Sequence, residues 1–240
     1  MSLTLVGENI WQWKPDIFNQ MNFHAICLTR PGGFTRAEAE EKITDYFDDK
    51  IGKTYHPGRL QVNFGLNIRV GHSIGSLAEI DGILAYRKRT PYYFQPGDCL
   101  PIFLYDQANQ VGGVMHASWQ QIPDLLTVAV RKMVLDFNSN PADILTAIGP
   151  SIGPCCYKFK KEVTAQVGQP FWQKFIREKD DLIEINLQAA AIASLRDAGV
   201  KKIEFADICT CCTTRNDDFI FPSYFREKTK TPSIAAFCLT

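Results

Sequence analysis

The sequence predicts a single α+β domain spanning residues 1–240, and three observations support this prediction. At 240 residues the chain is near the upper size that one hydrophobic core can organise. No internal repeat, low-complexity tract or Gly/Ser linker marks a domain boundary. Segments with strand and helix patterns alternate, and two of the strands are joined by a connection so short that they must pair antiparallel.

The first elements are a strand, a capped helix and two further strands. The apolar stretch "FHAICLTR" predicts a strand, and Thr35 with Glu38 forms a capping box that begins a helix. That helix should continue to about Asp48 and bury residues spaced four apart, namely Ala39, Ile43 and Phe47. The segments "GRLQVNFGLNIRV" and "EIDGILAY" then show the alternation and short apolar runs that predict strands.

The segments "CLPIFLY" and "QVGGVMH" predict an antiparallel hairpin, because only a few turn-forming residues around Asp106 and Asn109 separate them. With the turn centred near residue 108, Cys99 and His116 fall at the open end of the hairpin, within reach of each other across neighbouring strands. They are therefore candidates to share a ligand, a metal ion or a proton. Pro101 cannot donate to a strand ladder, which places it at an edge or at a sheet end.

The second half of the chain predicts three more helices, one of them a Lys/Glu-flanked helix after "GPSIGPCCYKF", and two more strands. Pro123 suits the first turn of a helix that ends before Asn140, with an apolar face of Leu126, Val130, Met133, Val134 and Phe137. A buried strand then runs into the Gly/Pro-punctuated loop "GPSIGPCCY", whose backbone amides are candidates to line a pocket. The segment "NLQAAAIASLRDAG" predicts a helix that stops at Gly199, and "KKIEFADI" predicts a strand that leads to Cys209.

Composition excludes several classes of function. Lys+Arg and Asp+Glu are both 26, so the chain lacks the basic surplus that nucleic-acid binding requires, and we expect no nucleic-acid partner. No segment approaches 18 uncharged apolar residues and no signal peptide is recognisable, so we expect a cytoplasmic protein with no membrane partner.

The 8 cysteines are interpreted as thiols, because the chain is large enough to build a core and carries no secretion signal. We expect Cys155 and Cys156 to pack in a pocket wall, since a disulfide between neighbours would strain the backbone. Cys209 and Cys212 have C-x-x-C spacing, which is typical of a redox pair or of half a zinc site, although the chain has no second C-x-x-C.

The order of the motifs resembles one family over most of the chain. The residues that carry the resemblance are Thr29-Arg30 with Gly32-Gly33, Gln61-Val62, Asp81-Gly82, Asp98-Cys99-Leu100-Pro101, His116-Ala117 with Trp119, "GPSIGPCCY", "INLQAAAIASLRDAGV", Cys209-Thr210 with Cys212, and Ser223-Tyr224. This series is similar to the YfiH or laccase-domain family, whose members are described as purine nucleoside phosphorylases and as peptidoglycan-editing factors. The resemblance implies a CNF1/YfiH-like α+β domain of layered sheets flanked by helices.

The resemblance also implies a metal ion, usually zinc, held by the histidine after Gln-Val, by the cysteine of Asp-Cys-Leu-Pro and by the histidine of His-Ala. The last two are Cys99 and His116, which become the predicted catalytic and metal-binding residues. This chain departs from the pattern at Asn63, where the family has histidine, and an amide oxygen binds zinc weakly. His56 or His72 would have to supply the missing imidazole.

Two substrate-binding residues are predicted beside this site. The chain reads "HASWQQ" where the family has His-Ala-Gly-Trp-Arg-Gly, so a guanidinium suited to phosphate is missing. Arg30, beside the two early glycines, is the predicted remaining anion contact, and Asn63 is the second predicted substrate contact.

The resemblance implies an enzyme that phosphorolyses adenosine, inosine and methylthioadenosine, with adenosine deamination as a further activity and with phosphate and a purine nucleoside as its small-molecule partners. Zinc is the expected cofactor. Copper is less favoured, because multicopper oxidation needs many imidazoles and the chain has 4 histidines. Two alternatives stay open: a non-catalytic paralogue that acts as a binding module, and an amidase that edits peptidoglycan precursors with Cys99 as its nucleophile.

Overall fold

The computed structural model describes residues 3–71, 73–160, 170–228 and 232–240, and in them helices and strands form four layers. The helices are α1 Arg36–Ile51, α2 Asp124–Phe137, α3 Leu187–Asp197 and the short α4 Tyr224–Glu227. The strands are β1 Thr4–Gly7, β2 Ile10–Trp13, β3 Phe23–Thr29, β4 Gly58–Gln61, β5 Ile68–Val70, β6 Gly75–Ala78, β7 Gly82–Ala85, β8 Tyr92–Phe94, β9 Leu100–Asp106, β10 Val111–Ala117, β11 Leu145–Ile148, β12 Lys158–Lys160, β13 Ile176–Lys179, β14 Leu182–Ile185, β15 Lys202–Phe205, β16 Thr214–Arg215, β17 Asp218–Phe219 and β18 Ile234–Leu239.

Two mixed sheets form the centre of the fold. The first has the order β1-β2-β3-β18-β8-β4-β6, antiparallel except where β4 pairs with β8 and β6. The second has the order β15-β11-β9-β10-β7-β5, with an antiparallel centre and one parallel pair at each edge. A small sheet of β12, β14 and β13 and the ribbon β16–β17 complete the strands.

Alternating burial along β9 shows how the layers stack. Ile102 and Leu104 belong to a cluster with α2 and α3, whereas Phe103 and Tyr105 belong to a cluster with the first sheet. The second sheet is therefore covered by α2 and α3 on its outer face and by the first sheet on its inner face, where Phe23 stacks on Tyr105 with ring centroids 4.9 Å apart. Helix α1 covers the outer face of the first sheet. This arrangement confirms the predicted α+β class with layered sheets flanked by helices.

Local signals in the sequence located several elements correctly. Thr35 and Glu38 form the predicted capping box of α1, and the three residues predicted to be buried on that helix are fully buried. Strands β9 and β10 form the predicted antiparallel hairpin, with His116 opposite Pro101. Pro101 was predicted to lie either on an edge strand or at the end of a strand. It lies at the start of β9, a strand in the middle of its sheet, so the second alternative is confirmed.

The strand predicted over "GRLQVNFGLNIRV" is wrong as a single element. The chain turns after β4, where Phe64 has a φ of 61°, and β4 and β5 belong to different sheets. The cause is the buried Asp81, whose carboxylate accepts hydrogen bonds from the backbone N–H groups of Asn63, Phe64 and Gly65 at 3.1, 2.8 and 3.0 Å. Three charge-assisted bonds to one carboxylate outweigh the strand propensity of the segment.

Candidate active site

A cavity of about 660 Å³ opens between the sheets at the open end of the β9–β10 hairpin. Its wall comes from the turn after β4, the segment between β8 and β9, the hairpin, the loop after β11, and α4 with the residues around it. The lining residues are Val62, Phe64, Gln95, Gly97, Asp98, Cys99, His116, Ser118, Trp119, Gln120, Ile152, Tyr157, Phe159, Leu187, Pro222, Tyr224, Phe225, Lys228 and Pro232. Most of this surface is apolar, and a few polar groups converge on it, as is typical of a small-molecule site.

His116 is deeply buried in the cavity wall, and like Ser118 it has 3% of its surface exposed. Its ring lies edge-on between Phe64 and Phe94, at centroid distances of 5.1 and 5.4 Å. Its backbone N–H donates to the carbonyl of Asp81 at 2.7 Å, and its Nδ1 has no hydrogen-bond partner among the described residues. This nitrogen is itself buried, so the contact of His116 with the cavity is made by other atoms of its ring.

Burial lowers the pKa of His116 from 6.5 to about 4, although the negative charge of Asp81 and the side chain of Gln121 act in the opposite direction. Removing the ring from water disfavours its charged form more than these neighbours restore it. At neutral pH the folded protein therefore holds His116 as a neutral imidazole.

This lowered pKa predicts an acid-labile fold. Lowering the pH from about 7 to about 4 should reduce the free energy of unfolding by about 3 kcal/mol more in the wild type than in His116→Gln. The unfolded chain binds a proton at this imidazole below pH 6.5, whereas the folded chain does so only near pH 4, so protons favour unfolding across that interval. Urea titrations at several pH values measure the difference, and parallel pH profiles for the two proteins would contradict it.

Cys99 lies directly before β9, on the same face of the hairpin as His116 and diagonal to it. Burial, followed by the charge of the neighbouring Asp98, raises the pKa of the Cys99 thiol to about 12. The structure therefore brings Cys99 and His116 to one cavity, but it places a protonated thiol there, and a protonated thiol is a weak nucleophile.

Neither Asn63 nor Arg30 is among the residues that line the cavity. The Asn63 side chain is exposed and its amide oxygen accepts from the N–H of Gly65 at 3.2 Å, while its neighbour Phe64 faces His116. The Arg30 guanidinium donates to Glu38 at 2.5 Å and to the carbonyl of Gly33 at 2.7 Å. Their substrate-binding roles remain predictions, and Arg30 would have to release Glu38 to contact an anion.

The wall formed by α4 is not predicted by the sequence patterns. Asp98 accepts from Thr210 Oγ1 at 2.7 Å, from Ser223 Oγ at 3.1 Å and from the N–H of Phe225 at 2.7 Å. These bonds hold α4 over the cavity. The only signal for this wall in the sequence was the Ser223-Tyr224 pair, which carried part of the resemblance but suggested no role.

Lys228 supplies a positive charge at this wall. Its exposed ammonium group lies over the rings of Tyr224 and Phe225, 5.7 and 4.9 Å from their centroids. The cavity therefore has a cationic side chain beside an aromatic surface, an arrangement suited to an anionic group next to a planar ring.

Cys99 and His116 are the metal donors at this cavity besides the carboxylate of Asp98, which already accepts three hydrogen bonds. A catalytic zinc ion usually has three protein ligands and a blue-copper ion has two histidines and a cysteine. Among the residues that the structure describes, no third histidine, cysteine or carboxylate forms a ligand group with this pair. His56 is exposed and is not a lining residue, and His72 lies outside the described residues. The described donor set therefore does not complete a zinc or copper site at this cavity.

One group of potential metal ligands does occur in the described part of the chain, and it consists of Cys155, Cys156, Cys209 and Cys212. None of these four residues lines the cavity.

In the described part of the chain, no helix has both the length and the apolar composition needed to cross a bilayer.

Comparisons with known proteins agree on one family. A family model described as "Multi-copper polyphenol oxidoreductase laccase" matches residues 57–240. A purine nucleoside phosphorylase of Clostridium acetobutylicum is 27% identical over 139 residues, which cover 57% of this chain and 58% of that protein. A purine nucleoside phosphorylase of Aquifex aeolicus is 27% identical over 152 residues, covering 63% of this chain and 67% of that protein. The matches thus span about three fifths to two thirds of these relatives.

The fold has a counterpart among solved structures. A protein of Bacillus licheniformis titled hypothetical protein YfiH superposes with a TM-score of 0.82 and 21% identity, and the match covers 99% of both chains. At 21% identity, this structural likeness establishes the fold alone. The reaction has to be inferred from the residues of the cavity.

Proposed function

Because the chain belongs to the family whose model is described as multi-copper polyphenol oxidoreductase laccase, and because relatives of it are named purine nucleoside phosphorylase, we propose that it phosphorolyses purine nucleosides in the cavity beside His116. The observation that carries the proposal is the buried, neutral His116 at the wall of a cavity of about 660 Å³ that is lined by several aromatic rings. This volume falls in the range of small-ligand pockets.

In the proposed reaction, an oxygen of orthophosphate attacks C1′ of the ribose and the bond from C1′ to the purine nitrogen breaks. The electron pair of that bond passes to the purine, which takes up a proton and leaves as the free base, while the sugar leaves as ribose 1-phosphate. The protein has to hold the two reactants in line and deliver the proton.

His116 is proposed to deliver that proton. Its pKa is about 4 in the free protein, and a phosphate anion entering the same cavity favours the protonated imidazole, because an opposite charge nearby raises the pKa of histidine. Phosphate binding and proton uptake are thereby coupled, and the proton is then available to the departing base. Cys99 and Tyr157 are unsuited to the task, because burial raises the pKa of both groups.

Phosphorolysis ranks first among the activities that the family suggests. Deamination of adenosine needs an activated hydroxide, which a zinc ion would supply, and no three metal ligands form a group at this cavity among the described residues. A Cys99-dependent amidase needs a thiolate, and the Cys99 pKa of about 12 disfavours it. The proposed substrates are adenosine, inosine and methylthioadenosine.

Chromatography of each nucleoside after incubation with the purified full chain tests the proposal, with and without phosphate and with and without added zinc. Free base released only in the presence of phosphate supports it. Formation of inosine from adenosine without phosphate would show deamination and would contradict phosphorolysis as the activity. If no product forms under any condition but the protein still binds a nucleoside, the result would contradict phosphorolysis and support the non-catalytic binding module.

Lys228 is proposed to contact the phosphate, since its ammonium group stands at the cavity wall. Replacing Lys228 by methionine should raise the KM for phosphate about tenfold with little change in kcat, because a hydrogen bond to a charged group contributes about 1.5 kcal/mol. Lys201→Met, at an exposed lysine outside the cavity lining, is the matched control. Equal KM values for phosphate in both variants would show that Lys228 does not contact phosphate.

A further inference from the structure

Four cysteine side chains converge on the outer side of the loop that follows β11. Cys155 and Cys156 lie in that loop, and Cys209 and Cys212 lie in the segment after β15. The four Sγ atoms are all within 4.8 Å of one another, and Cys155 Sγ is 3.7 Å from Cys212 Sγ. All four residues are free thiols in the structure.

The backbone holds these thiols together independently of any ion. Strands β11 and β15 are parallel neighbours, so both loops leave the same edge of the sheet. The pairing continues beyond the strands as a bridge between Ser151 and Cys209, in which the N–H of Thr210 donates to the carbonyl of Ser151 at 3.1 Å. The N–H of Gly153 donates to Cys209 Sγ at 3.2 Å. An N–H donor aimed at sulfur stabilises a thiolate, the form that binds metals.

We propose that Cys155, Cys156, Cys209 and Cys212 together bind a single zinc ion in a tetrahedral site. Four sulfurs at about 2.3 Å from one zinc ion lie about 3.8 Å from each other, close to the 3.7 Å between Cys155 and Cys212. A disulfide requires about 2.05 Å between sulfurs. Cysteine thiolates in a tetrahedral set select zinc or iron among the common metals. A two-iron cluster is a poorer fit, because it spreads its thiolates around two ions.

This ion would be structural, because four protein ligands leave no open position for a substrate. Its position gives it a defined effect on the cavity. The first loop carries Ile152 and Tyr157, which line the cavity, and the second carries Thr210, which donates to Asp98. Bound zinc would join the two loops and so fix one wall of the cavity, whatever reaction takes place inside.

Metal analysis of the full chain, expressed with zinc and dialysed, tests the site. Wild type should contain one more zinc ion per chain than Cys212→Ser or Cys155→Ser, two substitutions at exposed positions. Cys99→Ser is the control for a thiol outside the cluster, and it should retain this ion. Cobalt in place of zinc should give the strong thiolate-to-metal charge-transfer band in wild type and in Cys99→Ser, with a much weaker band in Cys212→Ser.

A second measurement needs no variant, so it is unaffected by any loss of folding. X-ray absorption at the zinc edge of wild type should show four sulfur ligands at about 2.3 Å. Mixed nitrogen and sulfur ligands, zinc that disappears in Cys99→Ser alone, or a zinc-free protein whose intact mass shows disulfides would each overturn the proposal. Iron in place of zinc at the same four sulfurs would overturn the choice of metal.

Discussion

Replacing His116 by glutamine should lower kcat/KM for phosphorolysis of inosine by at least about a hundredfold, the lower end of what a positioned acid or base contributes. Among the lining residues that the structure describes, Cys99 and Tyr157 keep their protons because burial raises the pKa of both groups. His116 lines the same cavity, and its pKa of about 4 leaves the imidazole neutral and able to take up a proton when phosphate binds. Glutamine retains a hydrogen-bonding amide but cannot carry the proton. Steady-state assays at saturating phosphate measure the loss.

The matched control is His24→Gln, a half-buried histidine on β3 outside the cavity lining. It should keep kcat/KM within about twofold, as expected for a residue away from the chemistry. Near-wild-type activity of His116→Gln would contradict a proton-transfer role. A parallel assay with added zinc separates this role from metal binding, since a metal-dependent reaction would respond to zinc in wild type and lose the response in His116→Gln.

The parts of the fold that the sequence predicted depend on neighbours that are close along the chain. The capping box of α1 needs residues three apart, and the β9–β10 hairpin needs only a short turn. That hairpin alone was sufficient to place Cys99 and His116 at one end of a strand pair. Predictions of this kind succeed because the relevant contacts close short loops at small entropic cost.

The errors and omissions arise where a distant group decides the local conformation. The turn after β4 is imposed by Asp81, 18 residues beyond Asn63, so the strand pattern of that segment was misleading. The ion pair between Arg30 and Glu38 is a further contact that the motif beside Gly32-Gly33 does not predict, and the substrate role of Arg30 stays a prediction. The cysteine cluster joins the "GPCCY" loop to a C-x-x-C pair more than fifty residues later, since Cys212 lies 57 positions after Cys155. The spacing of the cysteines in the sequence gives no sign of such a contact.

Replacing Asp98 by alanine should lower the free energy of unfolding by about 3 to 5 kcal/mol, because a hydrogen bond to a charged group contributes about 1.5 to 3 kcal/mol and the bonds are not additive. The carboxylate joins its own segment to two others, through Thr210 in the loop after β15 and through Ser223 and Phe225 at the start of α4. Alanine would leave these donors without their acceptor and would release α4. Urea titration gives the loss of stability, and assays at low temperature give the accompanying loss of kcat/KM.

Asp106→Ala is the control, because the Asp106 carboxylate also accepts three hydrogen bonds, but within the turn at the opposite end of the same hairpin. Its carboxylate accepts from the N–H groups of Ala108 and Asn109 at 2.9 and 3.1 Å and from the Asn109 side chain at 2.7 Å. Both variants should lose stability, but only Asp98→Ala should lose activity under conditions in which both proteins are folded. Equal activity in the two variants would mean that α4 does not form a working wall of the cavity, and Lys228 could then not act from it.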